Sequence, residues 1–211
     1  MIAMRRRLFS IASLAMLAGC GDRKPPPRPA APPPPPPAPP PRPAPVAQTL
    51  PDGRVVVELS GLRYAVKPPR DWLSTAYWLT DTGGGKDDVF VIVTPPGQPR
   101  SSSADVFVSL EAFAKNDRAP DIAAKLANIG EQRKQRHPEF SIAKQAPLPL
   151  ANRRRAELYI LGNNPSGDTE AIAFVDEGPV VAEMMLLGRS KAQFDQALPL
   201  FRELVRSYGR L

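Results

Sequence analysis

Ala171-Ile172-Ala173-Phe174-Val175 is a continuously apolar run inside a predicted strand from Glu170 to Asp176. Val89 to Val93 and Met184 to Leu187 are continuously apolar in the same way. A strand in an antiparallel sheet with one solvated face alternates between apolar and polar residues. These runs do not alternate, so we predict that both faces of their sheet are covered, most simply by helices.

The segments around these runs predict further strands, because they are short, rich in β-branched residues and bounded by Gly, Pro, Asn or Asp. A hairpin is expected from 54–59 and 62–66, joined by Ser60-Gly61. The connections 163–167 and 177–179 are too short for crossovers, so the last three strands should form an antiparallel meander. The remaining predicted strands are 73–80, 88–94, 105–113, 140–145, 153–161, 170–176 and 180–187.

Two segments have helical periodicity. Ile122, Leu126 and Ile129 recur at i, i+4 and i+7, which predicts a helix that starts near Pro120. It should end near His137-Pro138, because a residue before proline is disfavoured in a helix.

The C-terminal helix is predicted to begin at the capping box Ser190-Lys191-Ala192-Gln193. Pro199 lies in its interior and predicts a kink or a two-piece helix. The predicted class is α+β, with an antiparallel sheet covered by helices on both faces. The apolar stripe of this helix consists of Phe194, Leu198, Phe201, Val205 and Tyr208.

The order of these elements resembles the PsbP-like superfamily, which includes photosystem II extrinsic subunits, Ran-binding release factors and bacterial lipoproteins. Gly61-Leu62-Arg63-Tyr64-Ala65-Val66, leading to Pro69-Arg70-Asp71-Trp72, carries the resemblance at the start of the domain. Phe194 through Arg206-Ser207-Tyr208 carries it at the end. The resemblance implies an α/β/α sandwich over 48–211 and contact with proteins or ligands. It implies no catalytic residue.

The N-terminal residues 1–19 have the organisation of an export signal. Met1 to Arg7 is positively charged, and the apolar run Leu8 to Gly19 has about a dozen residues, which suits a signal peptide. A membrane-spanning helix needs about 20. Leu17-Ala18-Gly19-Cys20 matches the lipobox of bacterial lipoproteins at all four positions. In that family the cysteine is acylated and the signal is cut before it, so Cys20 is the predicted membrane anchor.

Two features near Cys20 bear on export and location. Gly21 follows Cys20 where an Asp would resemble an inner-membrane retention signal, which favours the outer membrane, facing the periplasm. Arg6-Arg7-Leu8-Phe9 is a partial twin-arginine signal as well as an ordinary positive segment. The sequence leaves the export route open.

Residues 20–47 contain the predicted lipidated cysteine and a proline-rich arm. Fifteen of the 21 residues in 25–45 are proline. Proline fixes φ and donates no hydrogen bond, so the tract favours polyproline II, with a reach of about 65 Å. We predict a semi-rigid spacer. A ligand for an aromatic groove, or basic contacts with lipid headgroups, are alternative interpretations.

The net charge of +7 is concentrated before the domain. From position 46 onward, 21 basic residues face 20 acidic ones. A domain this close to neutrality lacks the broad positive field that nucleic-acid binding requires, so no nucleic-acid partner is expected.

The densest basic sequence in the domain is typical of a solvated edge, with contact with an anionic partner, such as lipid headgroups or cell-wall polymer, as the functional alternative. On a predicted strand, Arg153 and Arg155 would share one face and Arg154 would occupy the other. The residues concerned are Arg133, Lys134, Arg136, Arg153, Arg154 and Arg155.

Residues for catalysis or metal binding are sparse. His137 is the sole histidine, and no Gly-x-Ser-x-Gly motif accompanies it. Asp176-Glu177 beside a turn should be solvated, and Trp72 and Trp78 should be core or rim aromatics. We therefore expect no enzyme activity, cofactor or metal. The sequence favours a lipid-anchored periplasmic binding or assembly module, with a carrier or sensor of a small apolar or anionic ligand as the alternative.

Overall fold

The computed structural model describes residues 45–78 and 89–211. The predicted signal, the lipobox, most of the proline-rich arm and the glycine-rich loop 81–87 lie outside the described residues. The described part of the chain forms two antiparallel sheets and two α-helices.

The strands of the structure follow the predicted segments closely, and two short strands, β7 and β11, are additions. A one-turn 3-10 helix at Ala151–Arg153 precedes β8. The helices are α1 Ile122–Lys134 and α2 Lys191–Arg206. The strands are β1 Val55–Leu59, β2 Leu62–Val66, β3 Leu73–Trp78, β4 Val89–Thr94, β5 Val106–Ala114, β6 Ser141–Lys144, β7 Leu148–Pro149, β8 Arg155–Gly162, β9 Thr169–Asp176, β10 Val180–Gly188 and β11 Gly209–Arg210.

The large sheet has the strand order β3-β4-β5-β10-β9-β8-β6, with β7 paired to β8. The predicted meander β8-β9-β10 is confirmed as antiparallel. The predicted hairpin β1-β2 is also confirmed, with a two-residue turn in which Ser60 and Gly61 both have positive φ. It forms a separate three-stranded sheet with β11.

One face of the large sheet packs against α2 and the three-stranded sheet. Phe194 and Phe201 from α2 join Tyr64 and Val57 in one continuous core with the inward residues of the central strands. Gly188, at the end of β10, lets α2 start close to the sheet, because a Cβ there would lie 2.8 Å from the Phe194 Cα.

The opposite face has two smaller cores. Ile122 and Leu126 from α1 pack on Phe174 and Ile172 of β9. Near β4, Ile92 and Phe107 pack with Ala104 from the β4–β5 connection. One helix contributes to each cover, but a small sheet shares one face and a loop shares the other, so the prediction of a sheet covered by helices holds only in part.

The helix ends differ slightly from the sequence prediction. Asp121 caps α1, accepting a hydrogen bond from the Ala124 backbone N–H at 2.7 Å, and α1 ends at Lys134 rather than near His137. Ser190 caps α2 as predicted. The structure keeps α2 as one helix across Pro199, so the two-piece alternative is wrong. The described residues include no helix long and apolar enough to cross a bilayer.

One carboxylate lies in the middle of the α1-covered face. Glu183 of β10 is directly opposite Glu111 of β5, and its side chain is only 12% exposed. Lys125 of α1 places its Nζ 3.5 Å from a Glu183 oxygen and 4.8 Å from the centre of the Phe113 ring. Burial raises the pKa of Glu183 to about 7; Lys125 opposes this rise and Glu111 adds to it.

Glu183 gives the domain a predictable pH dependence. Because its folded pKa lies above its ordinary value of 4.5, the stability it contributes is present below pH 4.5 and lost as the pH rises through about 7. Glu183→Gln should therefore raise the free energy of unfolding by about 1–3 kcal/mol at pH 8. At pH 4.5 it should change little. Urea unfolding at both pH values measures this, with Glu131→Gln on the exposed side of α1 as the matched control. An equal gain at both pH values would contradict the assignment.

Candidate functional site

A groove lies beside the connection between β2 and β3. This connection contains Pro68 and Pro69, which cannot donate backbone hydrogen bonds and hold the chain extended. The Trp72 backbone N–H donates to the Pro69 carbonyl at 3.2 Å, which closes a tight turn. Asp71 takes the left-handed conformation within it, at φ 67°. The turn delivers Trp72 onto the core beneath, where its ring is half-buried.

The second wall of the groove is the segment that leads from the proline-rich arm into β1. Gln48 accepts a hydrogen bond from the Val56 backbone N–H at 2.8 Å, and the Leu50 N–H donates to the Arg54 carbonyl at 2.8 Å. The side chain of Ala47 packs against the core. Residues 47–50 are therefore fixed along β1.

The groove between these walls has a volume of about 380 Å³ and is open to solvent. Its lining mixes the apolar surfaces of Trp72 and Leu73 with the charged ends of Lys67, Arg70 and Asp71. The Arg70 and Asp71 side chains are 95% and 75% exposed. Two cations and one carboxylate leave the mouth of the groove positive.

A second open cleft, of about 400 Å³, lies on the other side of Pro68-Pro69 against α2. Leu200, a large hydrophobic residue that is 43% exposed, lines it together with Leu204. The Lys67 backbone N–H donates to the Ser207 Oγ at 2.6 Å, which ties the connection to the end of α2. The proline connection therefore forms a ridge between two clefts.

The basic residues predicted to contact an anion fall into two separate groups. In the first, Arg133 at the end of α1 donates to Glu170 at 2.9 Å and to Asn164. Lys134 and Arg136 are exposed beside it. Arg136 and Arg133 line an open polar cleft of about 430 Å³ between α1 and the β8–β9 turn.

The second group lies at the start of β8. Arg153 is in the 3-10 helix with φ 60°, so the expected alternation of three arginines along a strand does not occur. Arg154 forms an ion pair with Glu177 and donates to the Asp176 carbonyl at 2.7 Å. Arg153 and Arg155 are exposed.

The length of β8 separates the two groups. Arg154 directly precedes β8. Arg133 contacts Asn164, which follows β8, and Glu170, which pairs with Leu161 near the end of β8. Eight residues in a strand span about 25 Å. The six basic residues thus form no single positive surface, and anion contact stays a prediction for each group separately.

Buried carboxylates at the sheet ends are the feature that sequence reasoning missed. Glu177, expected to be solvated, has a side chain only 3% exposed, and that expectation is wrong. It accepts a hydrogen bond from the Tyr208 hydroxyl at 2.7 Å and pairs with Arg210 at 3.2 Å as well as with Arg154. Burial, together with this hydrogen bond to Glu177, raises the pKa of Tyr208. The partners of Glu177 come from distant segments, so no local sequence pattern predicts that they meet.

A second pair of buried carboxylates lies at the other end of the sheet. Asp168 pairs with Arg189 at 2.7 Å, and Glu170 pairs with Arg133. Burial raises the pKa of Glu170, and the Arg133 charge limits the rise. Each acid has its own guanidinium, so these groups connect β9 with α1 and with the β10–α2 junction.

The remaining candidates are dispersed. His137 follows α1 and lies 3.2 Å from Glu139 on the surface. Trp72 and Trp78 are both half-buried, which agrees with the expectation of rim aromatics. Within 45–78 and 89–211, no cluster of three or more His, Cys, Asp or Glu side chains could hold a metal ion. Leu17, Ala18, Gly19 and Cys20 lie outside the described residues.

Comparison with solved structures finds distant likenesses. The solution structure of cyanobacterial PsbP (CyanoP) from Synechocystis sp. PCC 6803 matches with a TM-score of 0.42 and 11% identity, over 70% of this chain and 86% of that one. A mutant of the protein Mog1 also matches at 0.42 and 11%, over 74% and 95%. A Pseudomonas aeruginosa protein of unknown function matches at 0.36 and 13%, over 73% and 94%.

These likenesses concern the general arrangement of a mostly antiparallel sheet with two helices. They assign no activity, ligand or partner. No protein-family model matches the sequence, and no curated protein is significantly similar to it.

The second group contains two exposed arginines, Arg153 and Arg155, and one ion-paired arginine, Arg154, so it allows a matched mutational test. Arg154→Ala should lower the free energy of unfolding by about 1–3 kcal/mol, because it removes one of two guanidinium partners from the buried Glu177 carboxylate. Arg155→Ala should change it by less than about 0.5 kcal/mol. Chemical denaturation of both variants measures the difference. Equal effects would contradict a structural role specific to Arg154.

Proposed function

We propose that this chain is a lipid-anchored module of the bacterial cell envelope that binds a protein or envelope partner without catalysing a reaction. The observation that carries the proposal is Leu17-Ala18-Gly19-Cys20 at the end of an export signal, followed by a proline tract. Acylation of Cys20 would hold the chain in the membrane, since several acyl chains bind far more firmly than one. Gly21 favours the outer membrane, with the domain facing the periplasm.

The proline tract supports a display role. Polyproline II resists collapse, so 15 prolines in 21 residues would hold the domain at a distance from the bilayer. The segment that follows the tract is fixed on β1, and Ala47 borders the Trp72 groove. An anchored domain of this design would present the groove at the point where the spacer joins it.

We also infer that the domain is a PsbP-like α/β/α sandwich. The order of strands and helices and the segments around Tyr64, Trp72 and Tyr208 support this inference. Tyr64 and Tyr208 pack against each other with ring centres 5.2 Å apart, which joins the two sequence segments that carry the resemblance.

The anchor is tested by metabolic labelling with a fatty-acid analogue in bacterial cells. Wild-type chain should be labelled and should fractionate with the membrane, whereas Cys20→Ser should be unlabelled because its only thiol is gone. In-cell cross-linking of the same two strains then tests the partner. A specific cross-linked species should form in the wild type and decline in Cys20→Ser. An unlabelled wild-type chain would refute the anchor, and the absence of a specific species in both strains would refute the binding role.

A carrier or sensor of a small ligand is the second candidate. The Trp72 groove favours it, because about 380 Å³ falls in the range of ligand pockets, roughly 300–1,000 Å³. Its open shape and mixed lining favour the first candidate, because small-molecule pockets enclose most of the ligand in apolar surface.

Tryptophan fluorescence distinguishes the two candidates. In Trp78→Phe, Trp72 is the only remaining tryptophan. A carried ligand should shift its emission when an extract of small molecules from the envelope is added, and Trp72→Phe, which retains Trp78, should respond less. An unchanged spectrum in Trp78→Phe would remove the carrier candidate.

A further inference from the structure

Strand β3 lies at one end of the large sheet and is paired on one side, to β4. A strand in this position presents every second N–H and C=O outward. Within the described residues, no backbone hydrogen bond joins Leu73 to Tyr77 to a segment other than β4. As far as the described part of the chain shows, the outer side of β3 is therefore a row of backbone groups that another strand can pair with.

The sequence of β3 lacks the features that normally protect an edge. Leu-Ser-Thr-Ala-Tyr-Trp contains no charge and no proline over six residues. Natural sheets block such edges with charged residues, prolines, bulges or very short strands. The opposite edge, β6, has four residues and carries Lys144, which pairs with Glu157 at 2.8 Å. Among residues 45–78 and 89–211, one edge is thus protected in the usual way and the other is open.

The groove described above adjoins this open edge. Trp72, Leu73 and Ser74 belong both to the groove lining and to the start of β3. Lys67 and Arg70 place two exposed cations at its mouth, and Arg70 forms an ion pair with Asp71 at 3.9 Å, so the net charge of the three groups is positive. A strand added along β3 would therefore have one end next to a pocket with a positive rim.

We propose that β3 and the Trp72 groove together form a strand-addition site for an extended peptide segment of a partner protein. The peptide has uncharged side chains where it runs along β3 and an acidic group where it reaches Lys67 and Arg70. Main-chain pairing along the edge supplies affinity, and the pocket supplies selectivity. The acidic group is a side-chain carboxylate or a chain terminus. This inference rests on the proposed binding function and names its surface.

Charge complementarity favours a peptide over a second copy of this chain. Two β3 strands could pair about a twofold axis. Neither strand carries a carboxylate, however, so the pairing would bring no countercharge to Lys67 and Arg70 from β3 itself.

Hydrogen exchange with three model peptides tests the site on the full chain in detergent. The peptides are acetyl-Thr-Val-Thr-Val-Thr-Asp-amide, its Asn counterpart, and acetyl-Thr-Val-Thr-Val-Thr-Val with a free carboxylate. The first and third should slow amide exchange in 73–77 and bind about fivefold more tightly than the Asn peptide. The double change Lys67→Ala and Arg70→Ala should abolish that difference. A preference for only one of the two acidic peptides identifies the side-chain or the terminal carboxylate.

Adjacent proline variants provide an internal control. Neighbouring residues in a strand direct their N–H groups to opposite sides, so Ser74→Pro and Thr75→Pro remove one bond to β4 and one outward donor. The variant that loses the outward donor should lose peptide binding with its unfolding midpoint unchanged. The variant that loses the bond to β4 should lose stability.

Three results would overturn the strand-addition site. The first is exchange in 73–77 that none of the peptides slows. The second is protection that rises with chain concentration without peptide, which would identify a second copy as the occupant. The third is an in-cell cross-linked species that persists in both proline variants, which would refute the edge and leave the binding function standing.

Discussion

The central strands β5, β9 and β10 are buried on both faces, and the described fold depends on covering them. Phe174 and Val175 are adjacent in sequence, yet each is at most 1% exposed because they point to opposite cores. Burying a large apolar side chain contributes about 1.5–3 kcal/mol, so leaving either face open would remove a large share of the net stability. The covers α1, α2 and the small sheet follow from this constraint.

Charged contacts connect the ends of this sheet to its covers. Glu177 joins the β9–β10 turn, the start of β8 and the C-terminal strand, while Glu170 and Asp168 join the other end to α1 and to the β10–α2 junction. A buried carboxylate is costly unless it is paired and hydrogen-bonded. The arginines that pair with these carboxylates are therefore needed for the stability of the domain, which makes them less available to a ligand.

The two edges of the large sheet differ in length and in charge. At the β6 edge, the strand is short and its Lys144 pairs with Glu157. At the β3 edge, the strand is longer and uncharged, and the groove lined by Lys67, Arg70 and Asp71 lies at its start. The start of this edge strand and Ala47, near the beginning of the described chain, line the same groove.

Local sequence was sufficient for most of the secondary structure. Apolar runs, the Ser60-Gly61 turn and the Ser190 cap fix strands, hairpin and helix start through nearest-neighbour geometry and hydrogen bonding. The same information indicated that both sheet faces are covered. It overestimated the effect of Pro199, because packing of Phe194 and Phe201 on the sheet holds α2 together across one missing hydrogen bond.

The contacts of the candidate site could be identified only from the tertiary structure. Arg133 and Arg154 look like members of one basic region, since Arg154 is only 21 positions after Arg133, but β8 separates their partners by its full length. Glu177 looks solvated beside its turn and is buried by Arg154, Tyr208 and Arg210 from distant segments. The sequence by itself was enough to predict an export signal, a lipobox and a spacer and to outline the strand pattern, because these depend on local composition and spacing. Which strand lies at an edge of the sheet, and which charged residues lie beside it, depends on contacts between distant residues, so the tertiary structure alone decided it.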